Sequence, residues 1–135
     1  MPTSRIERRM VWIALHHPED QKILPIDTER HQGFSWEMPS GKVQPHETIR
    51  QAANRELKAA TGLTADLKLV RYRKQAVLNP PHHFVEYYMF TGKYDGCSVI
   101  RLESPMEEYH WSTINEALHL SAERWAKHYL YSIHP

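Results

Sequence analysis

Residues 41–63 of the 135-residue chain read GKVQPHETIRQAANRELKAATGL, which predicts a glycine turn followed by an amphipathic helix. The helix is expected to begin near Glu47 and to end at Gly62, because a glycine after the last periodic residue favours the left-handed backbone that stops a helix. Apolar residues recur at spacings of four, four and three, and they are Ile49, Ala53, Leu57 and Ala60. This stripe is expected to pack on a β-sheet.

A second sector of the same helix contains Glu56, Ala59 and Ala60. Positions i, i+3 and i+4 are neighbours on a helix surface, so carboxylates at all three would converge on one ligand. Only the first of the three positions carries a carboxylate in this chain. The helix therefore offers one carboxylate where this spacing could gather three.

This spacing resembles the Nudix box, Gly-x5-Glu-x7-Arg-Glu-U-x-Glu-Glu-x-Gly-U, in which U is aliphatic. Seven of the nine fixed positions match, namely Gly41, Glu47, Arg55, Glu56, Leu57, Gly62 and Leu63. Ala59 and Ala60 stand where the family keeps paired glutamates. Seven such identities would occur by chance at about one start position in ten million. The approach Trp36–Gly41 is also similar to the Trp-x-x-Pro-Gly-Gly of the family, with Ser40 in place of a glycine.

The resemblance implies hydrolysis of a nucleoside diphosphate linked to another group, with Mg²⁺ or Mn²⁺ held by box glutamates. Divalent cations lower the barriers to nucleophilic attack and to departure of the leaving group. They do so because they offset the negative charge of the phosphates and the charge that develops on the leaving oxygen. By motif position, Glu56 is a metal ligand or general base and Arg55 orients it. Glu47 is the structural glutamate, in reach of Arg55. Gly41 and Gly62 are expected to supply a turn and a cap, since glycine enters positive φ freely.

The resemblance also implies a further metal ligand downstream of the box, because members of the family often have a carboxylate in a loop before a tryptophan. Glu103, Glu107 and Glu108 precede Trp111 in this way, and Glu107 and Glu108 join Glu56 in the predicted metal site. Glu86, in an apolar stretch, lies either at a sheet edge or at a site. Histidine is a further source of ligands or of a base, and His82 and His83 fall in a predicted loop. A solvated acidic loop and surface histidines are the structural alternatives.

Substrate contacts are predicted at Arg71, Arg73 and Tyr88. Two arginines on one strand face suit phosphate groups, and a tyrosine ring can stack on a base. The alternatives are a solvated strand face for the arginines and core packing for the tyrosine. The predicted ligand is a small nucleotide-like molecule.

The remaining elements predict an α/β/α sandwich with a mixed β-sheet and a single Nudix domain over residues 1–135. Continuous apolar residues at Arg9–Leu15 indicate a strand buried on both faces. Other strands are expected at Lys22–Asp27, as a partner of the first, and at Phe34–Met38, and a hairpin is expected from Ala65–Leu78 and Phe84–Tyr94. Helices are predicted at Ser112–Leu118 and Ala122–Ile133.

Composition restricts the partners and the compartment. The net charge is +1, from 17 Lys and Arg against 16 Asp and Glu, which argues against nucleic acid as the main partner without excluding it. No apolar run is long enough for a membrane span or a signal peptide. Cys97 is the single cysteine, so no intrachain disulfide can form, and the cytoplasm is the expected location. A homodimer is compatible with the family resemblance.

Three accounts of Ala59 and Ala60 stay open. They are compatible with substitutions introduced into an active hydrolase, whose box would otherwise be regular. They are also compatible with a protein that keeps the fold and binds a nucleotide, RNA or another protein without hydrolysis. In the third account an enzyme has rebuilt its site around Glu56 with other carboxylates or a loop histidine.

Overall fold

A computed structural model describes residues 5–18, 22–24, 26–28, 35–76, 83–102, 106–109, 111 and 113, with only the main chain described at 5, 7, 26–28, 35–37 and 106–109. Seven strands and one helix occur in this part of the chain. In order they are β1 (Arg5–His16), β2 (Ile26–Thr28), β3 (Ser35–Glu37), β4 (Ser40–Lys42), α1 (Ile49–Thr61), β5 (Lys68–Ala76), β6 (His83–Lys93) and β7 (Met106–Tyr109).

The larger sheet is mixed and has the strand order β4-β1-β6-β5. β1 and β6 run parallel, whereas β4 and β5 lie antiparallel to their neighbours. The smaller sheet has the antiparallel order β3-β2-β7. The predicted mixed sheet is confirmed, and so is the pairing of the two long strands that flank residues 77–82.

β1 is the central element of the fold, as its apolar run predicts. Val11, Trp12, Ile13, Ala14 and Leu15 are all buried, so both faces of the strand are covered. Val11 and Ile13 belong to the core beneath α1, together with Leu57 from the helix and Phe90 from β6. The parallel neighbour β6 reinforces this burial, because strands of a parallel pair are usually covered on both faces.

Local signals at both ends set the length of α1. Thr48 caps the first turn, accepting a hydrogen bond from the Gln51 N–H at 3.1 Å, while the Gln51 side chain accepts one from the Thr48 N–H at 2.9 Å. This reciprocal arrangement satisfies two amides that the helix itself leaves unpaired. The predicted stripe faces the sheet, with Ala53, Leu57 and Ala60 buried and Ile49 packed at its margin.

Two sequence-based predictions need adjustment. The predicted strand Lys22–Asp27 does not pair with β1 as a strand: in its described residues 22–24, an isolated bridge joins Ile23 to His16. Ile26–Thr28 pairs with β3 in the smaller sheet. Apart from Thr113, which has no helical structure, the two predicted C-terminal helices lie outside the described residues. No helix in the described ranges has the length and apolar character to cross a membrane.

Gly62 ends α1 as predicted, and its conformation allows a direct test. Its φ is 74° and its N–H donates to the Lys58 carbonyl at 2.7 Å. A Cβ at this position would be at ordinary van der Waals distance from Arg101, 3.5 Å, so a side chain is opposed by backbone conformation rather than by space. Gly62→Ala is expected to lower the free energy of unfolding by about 1 kcal/mol in urea titrations. Gly62→Asn should recover part of this loss, and equal losses for both variants would contradict the explanation.

Candidate active site

Arg55 joins the two glutamates of the box into one ionic cluster. Its guanidinium forms a bidentate pair with Glu47, from Nε to Oε2 at 2.7 Å and from the second terminal nitrogen to Oε1 at 3.0 Å. The other terminal nitrogen donates to Glu56 Oε1 at 2.6 Å. A fourth hydrogen bond reaches the Lys42 carbonyl at 2.9 Å, so the helix is tied to the end of β4. Arg55 therefore holds Glu56 in place while Glu47 holds Arg55.

Gly41 does not have its expected role in a turn. It lies in β4 opposite Val11 and is not among the glycines with positive φ, so the predicted turn role is wrong. Instead, a Cβ on Gly41 would overlap the carboxyl group of Glu56. The glycine leaves space for this side chain, so the carboxylate lies directly against the β4 main chain, and a larger residue at position 41 would displace it.

Ala59 and Ala60 differ from each other in their surroundings. Ala59 is exposed, whereas Ala60 is 1% exposed and belongs to the face that packs inward. Within the described residues no group of three or more His, Cys, Asp or Glu converges on one point. Moreover, one oxygen of Glu56 already accepts a hydrogen bond from the permanently charged Arg55. Among the described residues, the helix face that carries positions 56, 59 and 60 has one carboxylate, Glu56, and this carboxylate is already hydrogen-bonded to Arg55, so this face offers a divalent cation little negative charge.

The Glu47–Arg55 pair predicts a measurable acid dependence of stability. Hydrogen bonds from Arg55 hold the pKa of Glu47 below its ordinary value, and the Gln44 N–H contributes to the same effect. Because the folded pKa is depressed, this stabilisation is present above the unfolded pKa of about 4.5 and is lost as pH falls through the folded pKa. We expect the difference in unfolding free energy between the parent chain and Glu47→Gln to be constant from pH 7 to 5.5 and to shrink below pH 4.5. Urea titrations across this range measure it, and a constant difference down to pH 3 would contradict it.

Glu86 is not at an edge, because β6 lies between β1 and β5. Its carboxylate accepts hydrogen bonds from Arg9 Nε at 2.9 Å and from the Tyr72 hydroxyl at 2.5 Å. Burial alone would raise the pKa of Glu86, but these donors hold it below its ordinary value. The same carboxylate raises the pKa of Tyr72 to about 12. Glu86 is thus engaged in a network across three strands.

The predicted substrate residues are divided between the two faces of the larger sheet. Arg71 pairs with Met89 and Arg73 with Tyr87, so the two arginines share one face. Tyr88 lies on the other face, beside Tyr72 at a ring-centroid distance of 5.1 Å and at the margin of the core. A single small ligand can therefore use the arginine pair or the tyrosine, but the sheet separates them.

The downstream candidates are placed only in part. Glu107 and Glu108 lie in β7, with Glu108 opposite Asp27 of β2, and their side chains are outside the described residues. Glu103 and His82 also lie outside, whereas His83 begins β6. Trp111 packs against His17 and Tyr94, at centroid distances of 5.1 and 5.3 Å.

Sequence reasoning missed the partners of Glu86 and the Lys42 carbonyl. Arg9 and Tyr72 are far from Glu86 in sequence, and their contact depends on the parallel register Arg9↔Glu86 and on the antiparallel β5–β6 pairing. A usable signal was present in the single glutamate inside the apolar β6 strand, Glu86. An isolated charge on a covered strand usually has a partner.

Comparison with known proteins agrees with this architecture. The sequence profile of the NUDIX domain family matches residues 7–132. Comparison with curated protein sequences gives no match. The fold is similar to that of a MutT protein from Methanosarcina mazei Go1, with 17% identity, a TM-score of 0.75 and coverage of 98% of this chain and 95% of that one.

Two further solved structures are similar at low identity. The E. coli dihydroneopterin triphosphate pyrophosphohydrolase has 15% identity and a TM-score of 0.78, with 93% of each chain covered. The NUDIX domain of Shewanella oneidensis NrtR, solved with ADP ribose, has 13% identity and a TM-score of 0.70, with 98% of this chain and 88% of that one covered. At these identities the structural similarity shows the fold alone. Because the family profile spans most of the sequence, the chain belongs to the NUDIX domain family.

Proposed function

We propose that the chain binds a nucleoside-diphosphate-linked compound and hydrolyses it slowly or not at all. The observation that carries the proposal is the state of the box. Gly41, Glu47, Arg55 and Glu56 form a complete ionic and steric unit, while Ala59 and Ala60 provide no carboxylate beside Glu56. The framework of the family site is therefore kept and its acidic ligand set is reduced.

The choice of ligand rests on the family and on two relatives. One similar structure is named as a pyrophosphohydrolase of dihydroneopterin triphosphate, and another contains ADP ribose. Both compounds carry phosphoanhydride groups. Tyr88, on the face of the sheet that packs against α1, is the proposed stacking contact on the side of the box. Arg71 and Arg73 are proposed phosphate contacts for a ligand bound on the opposite face.

The loss of two acids affects catalysis more than binding. When bound, a divalent cation would offset the charge of the phosphates during attack and bond cleavage. Glu56 remains available through its second oxygen as a base or ligand, held by Arg55 and by the contact with Gly41. Binding through the arginine pair or through the tyrosine ring needs no such cluster, so it can persist where hydrolysis does not.

Turnover and binding must be measured separately to test this proposal. Nucleoside diphosphate derivatives, including ADP ribose, are assayed with Mg²⁺ and with Mn²⁺ against the parent chain, Glu56→Gln, Ala59→Glu, and the double variant Ala59→Glu with Ala60→Glu. Calorimetry measures ligand binding by the same four proteins. Thermal unfolding verifies that each variant is folded under the assay conditions.

We expect binding by the parent chain with little turnover, and a gain of at least a hundredfold in turnover when the folded double variant regains its carboxylates. Efficient turnover by the parent chain that disappears in Glu56→Gln would overturn the proposal in favour of a rebuilt active site. Absence of binding to every compound tested would also overturn it.

A further inference from the structure

β5 lies at an edge of the larger sheet, and its side chains are exposed on both faces. Among the described strands its only neighbour is β6, so the main-chain N–H and C=O groups of its other edge have no described strand beside them. Eight of its nine residues are exposed, and Arg71 is partly covered. The pairing with β6 is continuous from Arg71 to Ala76, after a bulge at the preceding residues. β5 therefore offers an open edge about 20 Å long.

The two faces of β5 differ in chemistry. One face carries three cations that pair with alternate residues of β6, and they are Lys68, Arg71 and Arg73. None of the three forms an ion pair within the described part of the chain, and β5 contains no acidic residue. The other face carries Leu69 and Tyr72, which are 40% and 50% exposed. The strand is therefore basic on one face and apolar on the other.

A second copy of this chain does not suit this edge. Because β5 contains four basic residues and no acid, pairing two copies would place like charges together without compensation in any register. Basic residues and bulges are also devices by which proteins prevent an edge strand from pairing with its own copies. The same charges attract an acidic segment.

We propose that β5 binds an extended acidic segment of a partner protein, which adds to the sheet as a further strand. In this mode of binding, main-chain hydrogen bonds supply affinity and alternate side chains supply specificity. The segment that fits alternates acidic and apolar residues. Its acids lie beside the three cations, and its apolar residues lie beside Leu69 and Tyr72. The edge favours a peptide over RNA, because a peptide main chain can continue the hydrogen-bond pattern of the sheet.

Tyr72 is held in place on the apolar face. Its hydroxyl donates to Glu86 at 2.5 Å, while half of the residue is exposed. Glu86 is itself paired with Arg9, so its negative charge is compensated. A tyrosine ring that is already fixed loses little conformational entropy on binding, and tyrosine is among the residues that contribute most at protein interfaces. Tyr72 is therefore the expected apolar anchor for the partner segment.

A capped peptide of about ten residues, alternating glutamate and valine, is the probe for the test. The control peptide has the same sequence with an N-methyl group on every amide, so it keeps the charges but cannot pair as a strand. The full chain, labelled with ¹⁵N, is titrated with each peptide at constant low ionic strength. Amide shifts give the affinity, and hydrogen exchange reports which β5 amides become protected.

Two double variants locate the binding surface. The test variant is Lys68→Gln with Arg73→Gln, which removes two cations from the basic face of β5. The matched control is Lys58→Gln with Arg101→Gln, which removes the same two types of charge near the end of α1. Thermal unfolding verifies that both variants are folded. We expect saturable binding with slower exchange at alternate amides of residues 71–76. The affinity should be at least about tenfold weaker in the test variant and change by less than about twofold in the control.

Four results would overturn the proposal. Equal binding of the N-methylated peptide, or equal weakening in both double variants, would show a diffuse basic surface. Tighter binding of a single-stranded oligouridylate, with the same amides protected, would assign β5 to nucleic acid. Dimerisation of the peptide-free chain in sedimentation, with the same protection, would assign the edge to a second copy. Absence of saturable peptide binding would leave the edge without this role. None of these measurements depends on hydrolysis, so this proposal and the proposed function can fail separately.

Discussion

Replacing Arg55 with alanine is expected to lower the free energy of unfolding by about 3 kcal/mol. Four hydrogen bonds disappear, and Glu47 and Glu56 lose the cation that they share. Breaking a buried ion pair by removing one partner costs roughly 3–5 kcal/mol, and the lower end applies because the Arg55 side chain is 32% exposed. Urea unfolding followed by circular dichroism at pH 7 measures the loss.

Two further variants distinguish the contribution of the Arg55 hydrogen bonds to stability from a general effect of losing a positive charge. Arg55→Lys keeps the positive charge but not the fork that binds Glu47 with two nitrogens, so we expect a loss of about half that of alanine. Lys58→Ala removes a cation from the exposed face of the same helix and should change stability by less than about 0.5 kcal/mol. A loss below 0.5 kcal/mol in Arg55→Ala would show that the cluster contributes little to the fold.

Ala60→Glu is expected to destabilise the metal-free chain by about 3 kcal/mol, whereas Ala59→Glu should leave its stability within about 0.5 kcal/mol of the parent. Ala60 is 1% exposed and Ala59 is exposed, although the two are adjacent in sequence. A carboxylate at position 60 must displace packed neighbours or lose its hydration. Urea titrations of the two single variants, without divalent cations, make a matched comparison.

The pH dependence of the unfolding free energy of these two variants provides a second measurement. A carboxyl group that loses hydration on folding has a raised folded pKa, so its cost is largest when the group is charged and decreases as pH falls toward the unfolded value of about 4.5. We therefore expect the gap between Ala60→Glu and Ala59→Glu to narrow from pH 7 to pH 4.5. Equal stability of the two variants at pH 7 would mean that α1 leaves room for a solvated carboxylate at position 60. The result also decides how the turnover of the double variant is interpreted.

Most of the framework could be predicted from local patterns. The apolar run in β1, the stripe on α1 and Gly62 are short-range signals, because burial, helix periodicity and left-handed backbone each depend on a few neighbouring residues. The pairing of Lys22–Asp27 could not be predicted from its composition, because it depends on which distant strand lies beside it in the folded chain. The strand around Ile26 joined the smaller sheet instead.

The site was only partly predictable. Arg55 and Glu47 are eight residues apart, and their motif spacing predicted the contact that the structure contains. Gly41 was matched correctly to the motif but for the wrong physical reason, because the approach of Glu56 depends on how α1 packs against β4. The placement of Arg71 and Arg73 on the face opposite Tyr88 likewise depends on strand register. A shift of one residue between β5 and β6 would put the arginines on the same face as Tyr88.

By itself, the sequence of residues 41–63 determined the helix, its cap, its apolar face and the absence of two carboxylates. These properties follow from residue types and from a period of 3.6 residues, which need no knowledge of the rest of the chain. Only the tertiary structure decided that Glu56 lies against Gly41 and that Ala60 is buried while Ala59 is not. Each of these depends on contacts between elements distant in sequence, whose relative positions are set by packing and strand register.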